Sequence, residues 1–263
     1  MAIELLILGL DGVIFDTEAA HLKASNDAFA ECGLGLTWSA RQFREAARIS
    51  GAAGAAAAAA QRIPGATAKD VTRVAAAKVR LFHEAILAEM PELHQGGARL
   101  MEEALDAGCK LAVVTDIPAQ TASVLLERSF DDDVTNRFDT VIGGAHFSEA
   151  DGNGPYDMAL RTVGIEASCS VAIDASPPAL RAAQQAGIWT MAATPYEKDI
   201  ARISGADLWC PQLQELRDLV DVRKAPRESA GRFITFDILR SLKKGRLHAA
   251  VPAVADMQTK AAA

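Results

Sequence analysis

The sequence predicts an α/β fold: a doubly wound parallel sheet, interrupted near its start by a block of helices. Three observations predict it. The chain opens on a continuous apolar run, Ile3–Leu10, which suits a strand buried on both faces. Residues from about 18 to 92 carry helical periodicity and no clear strand. After Pro91 short apolar strands alternate with helical stretches, the rhythm of repeated βαβ units around a Rossmann-like core.

The elements follow in order. Gly12 permits a tight turn after the first strand, and Asp16 and Thr17 are good N-cap residues for a helix over Glu18–Cys32. Helical spacing continues through Ala40–Ala47 and Ala68–Met90. Between them Gly51–Ala60 is nearly all Gly and Ala, helical by propensity but without a reactive group. Helix Gly97–Ala107 then leads into strand Lys110–Thr115. Further strands are expected at Phe138–Ile142, Ser170–Asp174, Ile188–Ala192 and Ala206–Trp209. The intervening helices are Ala119–Ser129, Tyr156–Val163 and Pro178–Ala186. In such sheets the working site lies at the carboxyl ends of the strands. Gly9 and Asp11, Thr115, and Asp174 and Ala175 should therefore meet.

The expected domains are a core over 1–17 and 92–222, a helical layer over 18–91, and a C-terminal extension over 223–263. Half of the 263 residues are apolar, which reads as globular. No apolar run spans a bilayer, and the N-terminus lacks the pattern of a signal peptide. Cys32, Cys109, Cys169 and Cys210 are scattered without a CxxC pair, as expected for reduced thiols in a cytoplasmic protein. The net charge of −7 hides an asymmetry. From Arg223 onward nine Lys/Arg face three acids, giving the tail +6 and leaving −13 for residues 1–222. That suggests an interaction segment, or a tail folded back on its own body.

The stretch Leu5–Glu18, with Gly9-Leu10-Asp11-Gly12 at its centre, resembles the first motif of the haloacid dehalogenase (HAD) superfamily. Residues 1–222 resemble its CbbY-like branch, which includes the xylulose-1,5-bisphosphate phosphatases. The resemblance extends over Asn26–Glu31, Trp38, Phe138–Gly144, Ser176-Pro177, Arg181–Gly187 and Ser204–Leu208. It implies a helical cap over 18–91 and a bacterial cytosolic or photosynthesis-linked ancestor.

Carried over position by position, the resemblance implies a phosphatase fold stripped of phosphatase chemistry. The family's aspartate nucleophile and magnesium ligand falls on Gly9, which has no side chain. A second magnesium ligand falls on Ala175. The family's lysine falls within 150–153, and no lysine occurs between Lys110 and Lys198. The cap's Lys and Arg fall on Ala53 and Ala55. Asp116 adds negative charge where phosphate would sit. Magnesium is expected for the family, but its ligands are lost here, so no metal or cofactor is expected.

Asp11, Thr115 and Asp174 remain as vestiges of the site. The resemblance gives Asp11 the general acid–base role and Thr115 the phosphoryl oxygens. Read as residues alone, Asp11 caps a turn through backbone N–H bonds and Thr115 is a strand-end hydroxyl. Asp174 alone is a poor magnesium site. Glu18 and His21 lie where hinge meets site, as candidate ligand contacts; a partly exposed helix histidine is the alternative. In the tail, a helix over 232–246 would carry Arg232, Phe233, Phe236, Arg240, Lys243, Lys244 and Arg246 as candidate partner-binding residues. The linker 223–231 and the end, 248–263, read as irregular chain.

The function expected is that of a catalytically inactive binding, structural or regulatory subunit, docking a protein partner or larger assembly through the tail. Membrane-surface association fits the basic helix, spanning does not, and the acidic body argues against nucleic acid. Two alternatives stand: a sugar-phosphate phosphatase with residual activity in which Asp11 activates water, and a phosphosugar sensor.

Overall fold

A computed structural model of the chain describes residues 2–130, 134–144, 154–194, 205–210, 213 and 234–245. Strands β1 (Leu5–Leu8), β4 (Lys110–Val114), β5 (Thr140–Ile142), β6 (Ser170–Asp174), β7 (Trp189–Ala192) and β8 (Leu208–Trp209) form one six-stranded sheet. All its pairings are parallel, in the order β5-β4-β1-β6-β7-β8. The strands predicted from the sequence are all present, most of them shorter at one or both ends. The doubly wound α/β architecture is as predicted.

The apolar run of β1 is explained by its place between β4 and β6. Leu5 and Ile7 point to one face, where α7 (Pro155–Val163) and α8 (Pro177–Gln185) supply Tyr156, Ala159, Ala179 and Ala183. Leu6 and Leu8 point to the other face, packed with α4 (Gln95–Asp106) and α5 (Ala119–Phe130) through Leu100, Met101, Leu125 and Leu126. Alternation of side chains along each strand sends one set to each core. A short helix α6 (Val134–Arg137) and an antiparallel pair, β2 (Phe15–Asp16) with β3 (Glu92–Leu93), went unanticipated. Two-residue strands carry too little pattern to be read from sequence.

The helical block is α1 (Glu18–Glu31), α2 (Ala40–Gln61) and α3 (Ala68–Ala88). The two middle stretches expected as separate helices run together as α2, with a kink at Gly51 (φ 74°, ψ 161°). Capping boxes start α2 (Ser39 with Gln42) and α3 (Thr67 with Asp70). Ala56 and Ala60 of the Gly/Ala run are buried against Phe29 and Val74, so its small side chains let the helices approach closely. Asn26 fixes Trp38, donating to its carbonyl at 3.0 Å and accepting from its N–H at 2.7 Å. Trp38 meets Phe29 edge-to-face at 4.8 Å.

The last described element, α9 (Phe236–Lys243), is shorter than the predicted 232–246. It lies on its own body. Phe236, Ile238, Leu239 and Leu242 are buried in the main core, and the Phe236 N–H donates to Glu103 Oε2 at 2.8 Å. Lys243 Nζ donates to the carbonyls of Ser168 and Ser170 at 2.8 and 2.7 Å. Phe236 and Lys243, expected to meet a partner, are thus engaged within the chain, because the apolar side of the helix finds an apolar face beside α4. Arg240 is half-buried and pairs with Asp237, and Lys244 is exposed. Arg232, Phe233 and Arg246, the linker and the last residues lie outside the described residues. No described helix is long and apolar enough to cross a membrane.

Candidate functional site

The sheet order changes direction at β1, whose neighbours β4 and β6 come from later in the chain on opposite sides. Such a switch point leaves a crevice beyond the carboxyl ends of the strands. A cavity of about 260 Å³ lies there, between the sheet ends and α1 and α2. Asp11, Thr17, Glu18, His21, Thr115, Asp116, Asp174, Arg44 and Arg48 line it. The strand-end residues expected to meet do so, and Glu18 and His21 join them.

Asp11 has a role different from the expected turn cap. Its carboxylate accepts side-chain hydrogen bonds from the Thr17 hydroxyl and, at 3.2 Å, from His21 Nε2. Thr17, at the N-cap of α1, makes no side-chain cap bond because its hydroxyl is turned to Asp11. Asp16 caps instead, accepting from the Glu18 N–H at 3.2 Å. Thr115 is buried, and its hydroxyl accepts from the Ile117 N–H at 3.2 Å, the behaviour of a strand-end turn residue.

His21 is 1% exposed, so the alternative of a partly exposed helix histidine does not hold. Its ring stacks on Phe82 with centroids 3.9 Å apart. Its Nδ1 accepts from Lys78 Nζ at 2.7 Å, which leaves the Nε2 proton to be donated to Asp11. Lys78, from α3, is 2% exposed and also donates to the Ala52 carbonyl at 3.2 Å. Burial pushes its ammonium down from 10.5 to about 8, against the opposing pull of Asp116 and Asp11. Burial and the Lys78 charge hold His21 below its ordinary value. Burial raises the Asp11 carboxyl, but the bonds and charges of His21, Thr17 and Lys78 outweigh it and keep it below the usual carboxylate range. Sequence reasoning missed Lys78 altogether. The 150–153 stretch, where the family's lysine falls, holds no lysine and lies outside the described residues, while a buried cation arrives from the helical layer. The surviving signal was a lysine among apolar neighbours on the inner side of a strongly amphipathic helix.

Asp116 and Asp174 complete the charges. Asp116 Oδ2 accepts from the Ala53 N–H at 3.1 Å. Burial and neighbouring Asp11 push its carboxyl up to about 6, with Lys78 and the Ala53 bond acting against them. Asp174 is 4% exposed. It accepts from the Ser176 N–H at 2.7 Å and from the Tyr156 hydroxyl at 3.4 Å. Burial above all, with Asp116 and Asp11, pushes it up to about 8, so it is protonated near neutral pH.

The arrangement at Gly9 decides what the site can do. A Cβ on residue 9 would lie 2.3 Å from Asp174 Oδ2 and 2.6 Å from its Cγ. The space of a residue-9 side chain is filled by the carboxyl of the next strand. The donor set does not fit a divalent cation either. Residues 9 and 175 offer no ligand atom from a side chain, Asp11 is committed to His21 and Thr17, and Asp174 favours its neutral form. Among the described residues no group of three or more His, Cys, Asp or Glu side chains is placed to hold a metal. Arg44, paired with Glu18 at 2.7 Å, and Arg48 bring positive charge to the cavity wall that the motif comparison did not anticipate.

Comparison with known proteins agrees with this fold. The family described as haloacid dehalogenase-like hydrolase matches residues 6–193. The plasmid-encoded CbbY protein of Cupriavidus necator is 32% identical over 200 residues, covering 71% of this chain and 76% of that protein. CbbY of Cereibacter sphaeroides is 28% identical over 220 residues, covering 82% and 95%. The crystal structure of CbbY from Rhodobacter sphaeroides in complex with phosphate superposes with a TM-score of 0.68 at 26% identity, covering 79% of this chain and 93% of that one. A mutant of that protein in complex with xylulose-(1,5)bisphosphate gives the same TM-score at 25% identity, with the same coverage. The chain belongs to the haloacid dehalogenase-like hydrolases, in their CbbY-like branch.

Proposed function

We propose that this chain is a non-hydrolysing member of its family, acting as a binding, structural or regulatory subunit. The observation that carries the reading is the Asp174 carboxyl in the space of a residue-9 side chain. Covalent phosphoryl transfer needs an ionised carboxylate aimed at phosphorus and dense neutralisation of the phosphoryl charge. Residue 9 supplies no carboxylate, and Asp174 is buried, neutral near pH 7 and held by Ser176 and Tyr156. Among the described residues the only cation in the Asp11–His21 network is Lys78, whose charge is offset by those of Asp116 and Asp11.

A partner would meet the acidic body. The tail's share in docking narrows, within the described residues, to Arg240 and Lys244.

One observation favours a second reading. Asp11 stays ionised, oriented by His21 and Thr17, as a base that activates water would be. CbbY relatives are known in complex with phosphate and with xylulose-(1,5)bisphosphate, so a ketose bisphosphate is the substrate to try. The test is phosphate release from ketose bisphosphates and an aryl phosphate, with and without magnesium, with Asp11→Ala as control. No release above that control is expected. Release that vanishes in Asp11→Ala would replace the first reading with the second.

A further inference from the structure

We propose that Asp116 is a latch. Through α2 it fastens the helical layer shut over the strand ends, so that the layer is held in place rather than free to swing. The latch acts on movement between layer and core and is independent of turnover.

The helical layer hangs on the core by two chain crossings. One runs from Asp16 through Thr17 into α1, the other from α3 to Glu92, and β2 and β3 pair side by side there as a pivot. A layer joined by two adjacent segments swings about them unless contacts elsewhere hold it. The contacts of α1 and α3 lie close to that pivot along the chain. Asp11 bonds to His21 in the first turn of α1. In the last two turns of α3, His83 Nδ1 bonds to the Thr121 hydroxyl at 3.0 Å, and the Leu87 carbonyl accepts from Arg128 at 3.2 Å. Contacts so near an axis have little leverage on the rest of the layer.

Helix α2 is placed differently. It joins α1 to α3 and meets the pivot at neither end. It reaches the core across the cleft, where it packs on α8 and where Asp116, just beyond β4, meets its backbone. Two observations mark that meeting as close. Asp116 Oδ2 accepts from the Ala53 N–H at 3.1 Å, and a Cβ on Gly51 would lie 2.4 Å from the same oxygen. Residue 51 therefore has room only for hydrogen.

The break in α2 makes the bond available. At φ 74° Gly51 leaves helical geometry, so the residues after it form a new first turn, whose N–H groups take partners from outside the helix. Asp116 is half-buried, and a charge-assisted bond shielded from water is stronger than an exposed one. A layer fixed in this way offers a partner one constant surface.

The distance between layer and core reads the latch. Nitroxides are attached through Arg62→Cys, exposed at the end of α2, and Arg181→Cys, exposed on α8. They are measured by double electron–electron resonance in the full chain, with its four own cysteines replaced by alanine. With Asp116 intact a single distance is expected. Asp116→Ala should add a longer one, with the open-to-closed ratio raised at least about tenfold, the scale of one lost charge-assisted hydrogen bond. Asp116→Asn keeps an acceptor for Ala53 and should open clearly less. Circular dichroism establishes that each variant is folded. A folded Asp116→Ala that keeps the single short distance would overturn the latch. So would two distances with Asp116 intact, or equal opening in the Ala and Asn variants, because the bond to Ala53 would then not be what holds the layer. Phosphate release would sink the non-hydrolysing reading and leave these distances as they are.

Discussion

Gly9→Ala is the smallest perturbation that reaches the centre of the site. One added methyl would stand 2.3 Å from Asp174 Oδ2, well inside contact distance, and 2.6 Å from Cγ. The carboxyl must move, and it is held at 2.7 Å by the Ser176 N–H in a fully packed strand end. Overpacking of this kind costs about 1–3 kcal/mol, and a lost hydrogen bond about another 1. The expected loss is therefore about 2–4 kcal/mol, with Tm lower by roughly 5–10 °C for a chain of this size. Urea unfolding at pH 7 measures it. Asp174→Ala clears the space, so the double variant should be less destabilised than the sum of the singles, by about 1 kcal/mol or more. A Gly9→Ala variant within about 0.5 kcal/mol of the parent, or an additive cycle, would show that residue 9 and Asp174 do not share that space. For the same reason Gly9→Asp should not restore phosphatase activity.

The remaining predictions concern pH and the tail. Asp174 rises from 3.8 to about 8 and Asp116 to about 6, so the folded state holds protons that the unfolded chain has released. Their contribution to stability is highest below about 4 and falls as pH rises, to about 6 for Asp116 and about 8 for Asp174. Lys78, lowered to about 8, adds stability as pH climbs from there toward 10.5. Urea unfolding should thus give a less stable protein at pH 8 than at pH 5, and Asp174→Asn should flatten that slope; an unchanged slope would refute the assignment. In α9, Leu239 is fully buried, so Leu239→Ala should cost about 2–5 kcal/mol in the same assay. A change under about 0.5 kcal/mol would mean that the helix is solvated in solution.

Much of the fold was legible because β1 is apolar throughout and β4 and β6 carry unbroken apolar runs, Leu111–Val114 and Val171–Ile173, which a sheet covered on both faces asks for. The meeting of Asp11, Thr115 and Asp174 was legible for the same reason, since strand ends in a parallel sheet share one edge. Lys78 was not legible. It lies 57 residues from His21, and its helical pattern alone does not say which neighbour takes the ammonium. Asp11 was assigned backbone partners because local turns are what sequence reveals. Its actual partners, Thr17 and His21, depend on how α1 leaves the β2 turn.

The sequence by itself determined that residue 9 brings no carboxylate and residue 175 no metal ligand, because a missing side chain is missing in any fold. It also determined the α/β class, through the period and length of its apolar runs. Only the tertiary structure decided what fills the missing side chain's place, where the compensating cation comes from, and that the basic tail helix lies against its own body. Those outcomes rest on contacts between segments far apart in the chain. Distance, burial and charge there are set by packing, which no local pattern encodes.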